Sequence, residues 1–247
     1  MNSNSNSYIF IYSVVMVVVV AAILSTAATL LKPQQQQNVR NEKMSSILAS
    51  ANIESTPENA EELYNKYITK ELVVDAKGNV VGTYSNGKLD GEMRAFDVNI
   101  KSEQFKQRKG DAFVSPLYVC EYDGGTFYII PMLGKGLWGP VWGNMALKDD
   151  LNTVVGVIFD HKGETPGLGA EISTDIFEKQ FIGKTIFDES GNFVSVTVQK
   201  GGVATLPESR HNHAVDAISG GTITSVGVDD MMKDCLVNYV PYIKNQK

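Results

Sequence analysis

The chain has 247 residues, 43% of them hydrophobic, with a formal net charge of −6 from 22 Lys and Arg against 28 Asp and Glu. That length holds one medium domain plus attachments, and the acidic balance excludes the basic footprint that a nucleic-acid partner requires. Two cysteines, Cys120 and Cys235, are too few for a disulfide framework or a Cys-rich metal site; both have apolar neighbours and are expected as buried, inert thiols.

Residues 1–7 form a short polar N-terminus, and residues 8–31 carry no charge, with an apolar run over 14–24. At about 1.5 Å per residue the segment spans roughly 36 Å, enough for the ~30 Å hydrocarbon core. A signal peptide is the rival reading, because Ser25, Thr26, Ala27 and Ala28 offer small residues. No Lys or Arg precedes Tyr8, however, and the apolar run exceeds a signal core. Residues 8–31 are therefore read as a single transmembrane helix that stays in the mature chain. Lys32, Arg40 and Lys43 follow it, and a mechanical positive-inside reading keeps the C-terminal body in the cytoplasm.

Residues 32–54 read as linker and stalk. Pro33 and four glutamines make a polar linker, and 39–51 then alternates charged and apolar residues at helical spacing (Met44, Ile47, Leu48). One folded domain is expected over 55–247. Its first helix is predicted over 57–67, with Thr56 as N-cap and Pro57 at the first helical position. A hairpin follows, 72–74 with 80–82, around Asp75-Ala76-Lys77-Gly78-Asn79. Further strands are predicted at 117–122, 126–132, 153–160 and 193–199. Val228, Met232, Cys235 or Leu236, and Tyr239 then recur at helical spacing. The pattern predicts an α+β domain, an antiparallel sheet with flanking helices.

Three stretches could carry chemistry. Asp216-Ala217-Ile218-Ser219-Gly220-Gly221-Thr222-Ile223-Thr224-Ser225 runs into the last helix. A glycine turn at a helix N-terminus presents free N–H groups and partial positive charge, which suit a phosphate; the same residue types are also ordinary caps. Gly163-Glu164-Thr165-Pro166-Gly167-Leu168-Gly169 enforces a loop after a strand. Gly134-Lys135-Gly136-Leu137-Trp138-Gly139-Pro140-Val141-Trp142-Gly143 holds both tryptophans, and such a pair in a glycine-rich loop is more often packing than cofactor contact. Lys200, before Gly201 and Gly202, could bring a positive charge to a ligand or sit in a solvated turn. His211 and His213 lack the further ligands a metal site needs, so no metal is expected. There is no nucleophile elbow and no dinucleotide fingerprint, so no catalytic residue is assigned.

The Asp-x-x-Ser-Gly-Gly-Thr motif resembles that of FMN-binding domains in which a flavin transferase joins FMN to threonine through a phosphoester. The usual residue before the acceptor there is Ala, where this chain has Gly221. Glu-Thr-Pro-Gly-Leu-Gly is similar to the segment lining the isoalloxazine in the same family. The Gly-Leu-Trp segment is similar to that of the C-subunits of Na⁺-translocating NADH:quinone reductases rather than to that of the G-subunits of Rnf complexes. The order of all the motifs resembles those C-subunits along nearly the whole chain.

The resemblance implies covalent FMN on Thr222. It implies cofactor contacts from Ser219, Gly220, Gly221, Thr224, Thr165, Gly167, Leu168, Gly169, Trp138 and Lys200. It also implies a single-pass protein of the bacterial inner membrane with its domain on the periplasmic side, against the charge reading. Its partners would be the membrane, the other subunits of a complex coupling NADH oxidation by quinone to Na⁺ export, and a flavin transferase during maturation. The alternatives are a flavoprotein like the Rnf G-subunits, or a membrane-anchored FMN-binding sensor or scaffold without electron transfer.

Overall fold

In the computed structural model, residues 6–246 are described, so most of the expected polar N-terminus lies outside them. Helix α1 (Asn6–Ser50) is one uninterrupted element. Its apolar part is long and apolar enough to cross a membrane, and none of the 18-residue stretch that qualifies is buried. The residues expected as a polar linker, Pro33 and the four glutamines, are helical. A single proline removes one backbone donor, and the glutamines after it are good helix formers, so the helix runs through.

The chain divides into two units, 1–43 and 44–247. The second begins ahead of the expected residue 55, because Met44, Ile47 and Leu48 are completely buried at three- and four-residue spacing. The end of the stalk is thus core. Helix α2 (Ala60–Tyr67) starts later than the sequence suggests. Asn59 precedes it and accepts from the Thr56 N–H at 2.7 Å, so the polar residues there close a turn instead of capping residue 57.

Strands β1 (Ile68–Asp75), β2 (Val80–Ser85) and β3 (Lys88–Asp90) come next, then α3 (Ile100–Lys109). A four-strand meander follows: β4 (Val114–Tyr122), β5 (Gly125–Lys135), β6 (Pro140–Leu147) and β7 (Val154–His161). The sheet order is β3-β2-β1-β4-β5-β6-β7, with every pair antiparallel. After β7 come a short α4 (Asp175–Glu178), β8 (Thr197–Gln199) and β9 (Ala214–Asp216), then α5 (Thr222–Leu236) and α6 (Val240–Asn245). β8 and β9 pair in parallel as a separate small sheet; of the strand predicted over 193–199, only its last three residues are in β8.

Alternation along the strands sends side chains to two faces. Leu72, Val74, Leu117, Val119, Ile130 and Met132 pack with Val228, Met232 and Leu236 of α5. Val73, Tyr118, Cys120 and Ile129 pack instead with Met44, Ile47, Leu48 and Tyr64. The central strands are covered on both faces and so read as continuous apolar runs.

Candidate functional site

The sheet register brings three loops to one end. Lys135 lies opposite Pro140, and Val141 opposite His161. The tip of the β5–β6 hairpin, residues 136–139, therefore stands beside the loop that leaves β7. The tip is closed by the Gly136 N–H donating to the Gly139 carbonyl at 2.7 Å, and the Lys162 N–H donates to the Pro140 carbonyl at 3.1 Å. Trp138, at the tip, is 68% exposed, with Leu137 also open to solvent.

α5 comes up against the same end. A Cβ on Gly134 would lie 2.5 Å from the Met231 Cβ, and one on Gly227 would lie 2.2 Å from the Lys135 carbonyl oxygen. Gly134 of the Leu-Trp segment and Gly227 of α5 are thus required by packing: they let α5 lie directly on the end of β5.

The third loop carries Glu164, which is 5% exposed. One carboxylate oxygen accepts from the Trp138 N–H at 2.8 Å, and the other accepts from the Thr224 hydroxyl at 2.6 Å. Its own N–H donates to His161 Nδ1 at 3.2 Å. The sequence places this residue in a motif but does not show its role, which is created by partners distant in the chain. Gly136 and Gly169 make room for it: a Cβ on either would fall 2.5 Å from a Glu164 oxygen.

The turn before α5 is fixed from both sides. Asp216, paired with Gln199, accepts from the Val203 N–H at 2.6 Å, and the Ala217 N–H donates to the Gln199 carbonyl at 3.0 Å. The turn of Lys200 therefore leaves the small sheet at the same end as the turn of Ser219. Lys200 is exposed, and among the described residues no bond joins it to Thr222. Ser225 accepts from the Ile218 N–H at 3.1 Å and donates its own N–H to the Gly221 carbonyl at 2.9 Å. Gly220 has φ +76°, a left-handed conformation that favours glycine. A Cβ there would also meet Leu168 Cδ2 at 2.6 Å.

Thr222 is the first residue of α5 and is half-buried. Gly221 offers no side-chain cap, and the first turn holds no acidic residue. Asp229 and Asp230 lie beyond the first turns of the helix, and Asp229 accepts from the Val198 N–H at 2.9 Å. The N–H groups of Thr222, Ile223 and Thr224 have no acceptor among the described residues, so the positive end of the helix is open.

The other expected contacts sort by exposure. Ser219, Thr165, Gly167 and Leu168 face solvent, Leu168 at 42% exposure. The Gly167 N–H is already donated to Glu171 at 2.9 Å, while the Thr165 carbonyl accepts from Leu168 and Ala170 at 3.1 Å. Gly169 and Thr224 are buried beneath the loops, Thr224 at 1% exposure, and they support the site without reaching its mouth. Burial pushes the Cys120 thiol up to about 12 and the Cys235 thiol up to about 11, so both stay protonated and unreactive. His213 Nδ1 lies 2.8 Å from the Thr185 carbonyl, and His211 Nε2 lies 3.0 Å from the Leu206 carbonyl.

Comparison with known proteins places this geometry in a family. Residues 136–237 match the FMN-binding domain family. The Na⁺-translocating NADH-quinone reductase C-subunit of Haemophilus ducreyi is 34% identical over 237 residues, covering 94% of this chain and 90% of that protein. The Pseudomonas aeruginosa C-subunit is 33% identical over 245 residues, covering 94% and 91%. The crystal structure of the C-subunit from Parabacteroides distasonis is 38% identical with a TM-score of 0.76, covering 88% of this chain and 98% of that one. The three loops and α5 fall almost entirely within the matched FMN-binding domain, and the likeness to whole subunits runs nearly end to end: the chain belongs to the family of C-subunits of the Na⁺-translocating NADH-quinone reductases.

Proposed function

We propose that this chain carries FMN as a phosphoester on Thr222 and passes electrons within a Na⁺-translocating NADH-quinone reductase. The observation that carries the reading is the start of α5, where the Thr222 hydroxyl stands beside three unpartnered N–H groups with no competing carboxylate in the turn. That donor set fits a phosphate. Exposed Trp138 and Leu168 beside it fit the flat apolar ring at the other end of FMN. FMN, when bound, supplies the one- and two-electron redox chemistry.

The chain's own residues do the rest. Thr222 retains the cofactor; it is an attachment point and not a catalytic nucleophile, and a separate flavin transferase makes the bond. Ser219, Gly220 and Gly221 shape the turn that presents the hydroxyl. Trp138 and Leu168 provide apolar surface, and Lys200 stands at the neighbouring turn. Outside the cytoplasm a covalent link prevents loss where no FMN pool could replace it. Residues 8–31 are the anchor, the domain lies on the periplasmic side of the inner membrane, and the other subunits of the reductase are its partners.

Co-expression with a flavin transferase should give a band fluorescent in denaturing gels. Thr222→Val should remain folded and lose the band. Peptide mass spectrometry placing FMN on Thr224, or fluorescence surviving in Thr222→Val, would overturn the attachment point; a wild-type band without flavin would favour the scaffold alternative. For topology, a cysteine at Gln36 should react with a membrane-impermeant reagent in intact cells. Labelling only after lysis would restore the cytoplasmic reading.

A further inference from the structure

We propose that Glu164 is the positioning residue of this site: it sets the spacing between the Trp138 tip and the start of α5, and its charge biases the flavin toward the oxidised state. The electrostatic half rests on the FMN reading above; the positioning half does not.

Each oxygen of this one buried carboxylate holds a different segment, Trp138 through its backbone N–H at 2.8 Å and Thr224 through its hydroxyl at 2.6 Å. Thr224 is two residues beyond Thr222 in the same helix, so a rigid helix transfers its position to the attachment hydroxyl. Trp138 has an exposed ring on a backbone that is pinned. One side chain therefore bridges the two, in addition to the packing of α5 on the end of β5. Gly136 and Gly169 leave room for that side chain and for nothing larger, since a Cβ at either would meet a carboxylate oxygen at 2.5 Å.

The same contacts bear on the charge. No cation pairs with Glu164 among the described residues; its charge is met by a backbone donor and a hydroxyl. A buried negative charge opposes the arrival of electrons nearby, since Coulomb interactions are weakly screened away from water. It should lower the flavin's midpoint potential.

The test uses the full chain in detergent as wild type, Glu164→Gln and Glu164→Ala. A glutamine can accept from Trp138 and donate to Thr224, keeping both contacts without the charge. Alanine removes both. In protein prepared without flavin transferase, hydrogen exchange at residues 137–139 should be about tenfold faster in Glu164→Ala, the effect of losing one buried hydrogen bond, and near wild type in Glu164→Gln. After co-expression with the transferase, Glu164→Gln should carry flavin with a more positive midpoint potential, and Glu164→Ala should carry less flavin. Equal exchange in all three proteins, or equal loss of protection in both variants, overturns the positioning role. An unchanged potential in Glu164→Gln overturns the electrostatic role. A wild type that takes up no flavin defeats the Thr222 assignment instead, and the exchange comparison still decides whether Glu164 positions the loops.

Discussion

Glu164 and Thr224 meet across 60 residues of chain through a hydroxyl-to-carboxylate hydrogen bond of 2.6 Å, and both side chains are buried. Thr224→Val keeps the shape and removes the donor, leaving a buried carboxylate oxygen unpaired. The expected cost is about 1–3 kcal/mol in a urea unfolding curve; under the proposed attachment at Thr222, at least part of the flavin label should be retained. Unfolding indistinguishable from wild type would mean that the bond contributes nothing.

Gly227 is the tightest contact between α5 and the sheet. Its φ is ordinary for a helix, so alanine there is opposed only by the Lys135 carbonyl, 2.2 Å from the new Cβ. Neither partner is a flexible side chain. Gly227→Ala should destabilise the domain by about 1–3 kcal/mol by overpacking and loosen the Trp138 tip. The matching alanine at Gly87, where nothing lies within 4 Å, has φ +75° as its only obstacle. Thermal melting of the two variants separates collision from backbone strain.

Compact folding that starts at Met44 has a consequence for truncation. A chain beginning at residue 44 should fold, whereas one beginning at residue 55 loses Met44, Ile47 and Leu48 from the core. Leu48→Ala alone should cost about 2–5 kcal/mol. Circular dichroism and melting curves of the two truncated chains are the check; equal stability would show that these residues are dispensable.

Glu178 gives the domain a pH dependence. Burial pushes its carboxyl up to about 7 from the ordinary 4.5, opposed by the Phe159 N–H that it accepts at 2.7 Å, while Asp175 and Asp160 add to the rise. The folded chain therefore binds this proton more tightly than the unfolded one. The contribution to stability is complete below about 4.5 and is lost as the pH rises through about 7. Between about pH 5 and about pH 8 the urea midpoint of the wild type should fall further than that of Glu178→Gln. Parallel slopes would dismiss the effect.

The hairpin of β1 and β2, strands β4, β5 and β7, and helix α5 were legible because each carries a clear period or turn signal. β6 was not: Pro140 and Gly143 with Trp138 and Trp142 look like a glycine-rich loop, and only the register with β5 and β7 makes that stretch a strand. α3 was hidden by its polarity, its one buried side chain being Glu103. At the candidate site, the motifs drew attention to Thr222, Leu168 and Trp138, which the structure places at its exposed end. Glu164 was part of a motif but gained its meaning only from Trp138 and Thr224, which no local pattern connects to it. The motifs did not show that Gly169 and Thr224, named with the others as cofactor contacts, are buried beneath the loops.

The two apolar faces of the sheet also separate mechanical load from chemistry. Residues 44–50 are seated on the face shared with Tyr64 and Tyr118, and α5 on the opposite face. Tension reaching the domain along the chain at Met44 is taken up first by that N-terminal anchorage of side chains. It would have to be transmitted through the hydrogen-bonded strands before the start of α5 was displaced. A pull applied at Met44 would thus load the face opposite α5 before it loaded the face on which α5 is packed.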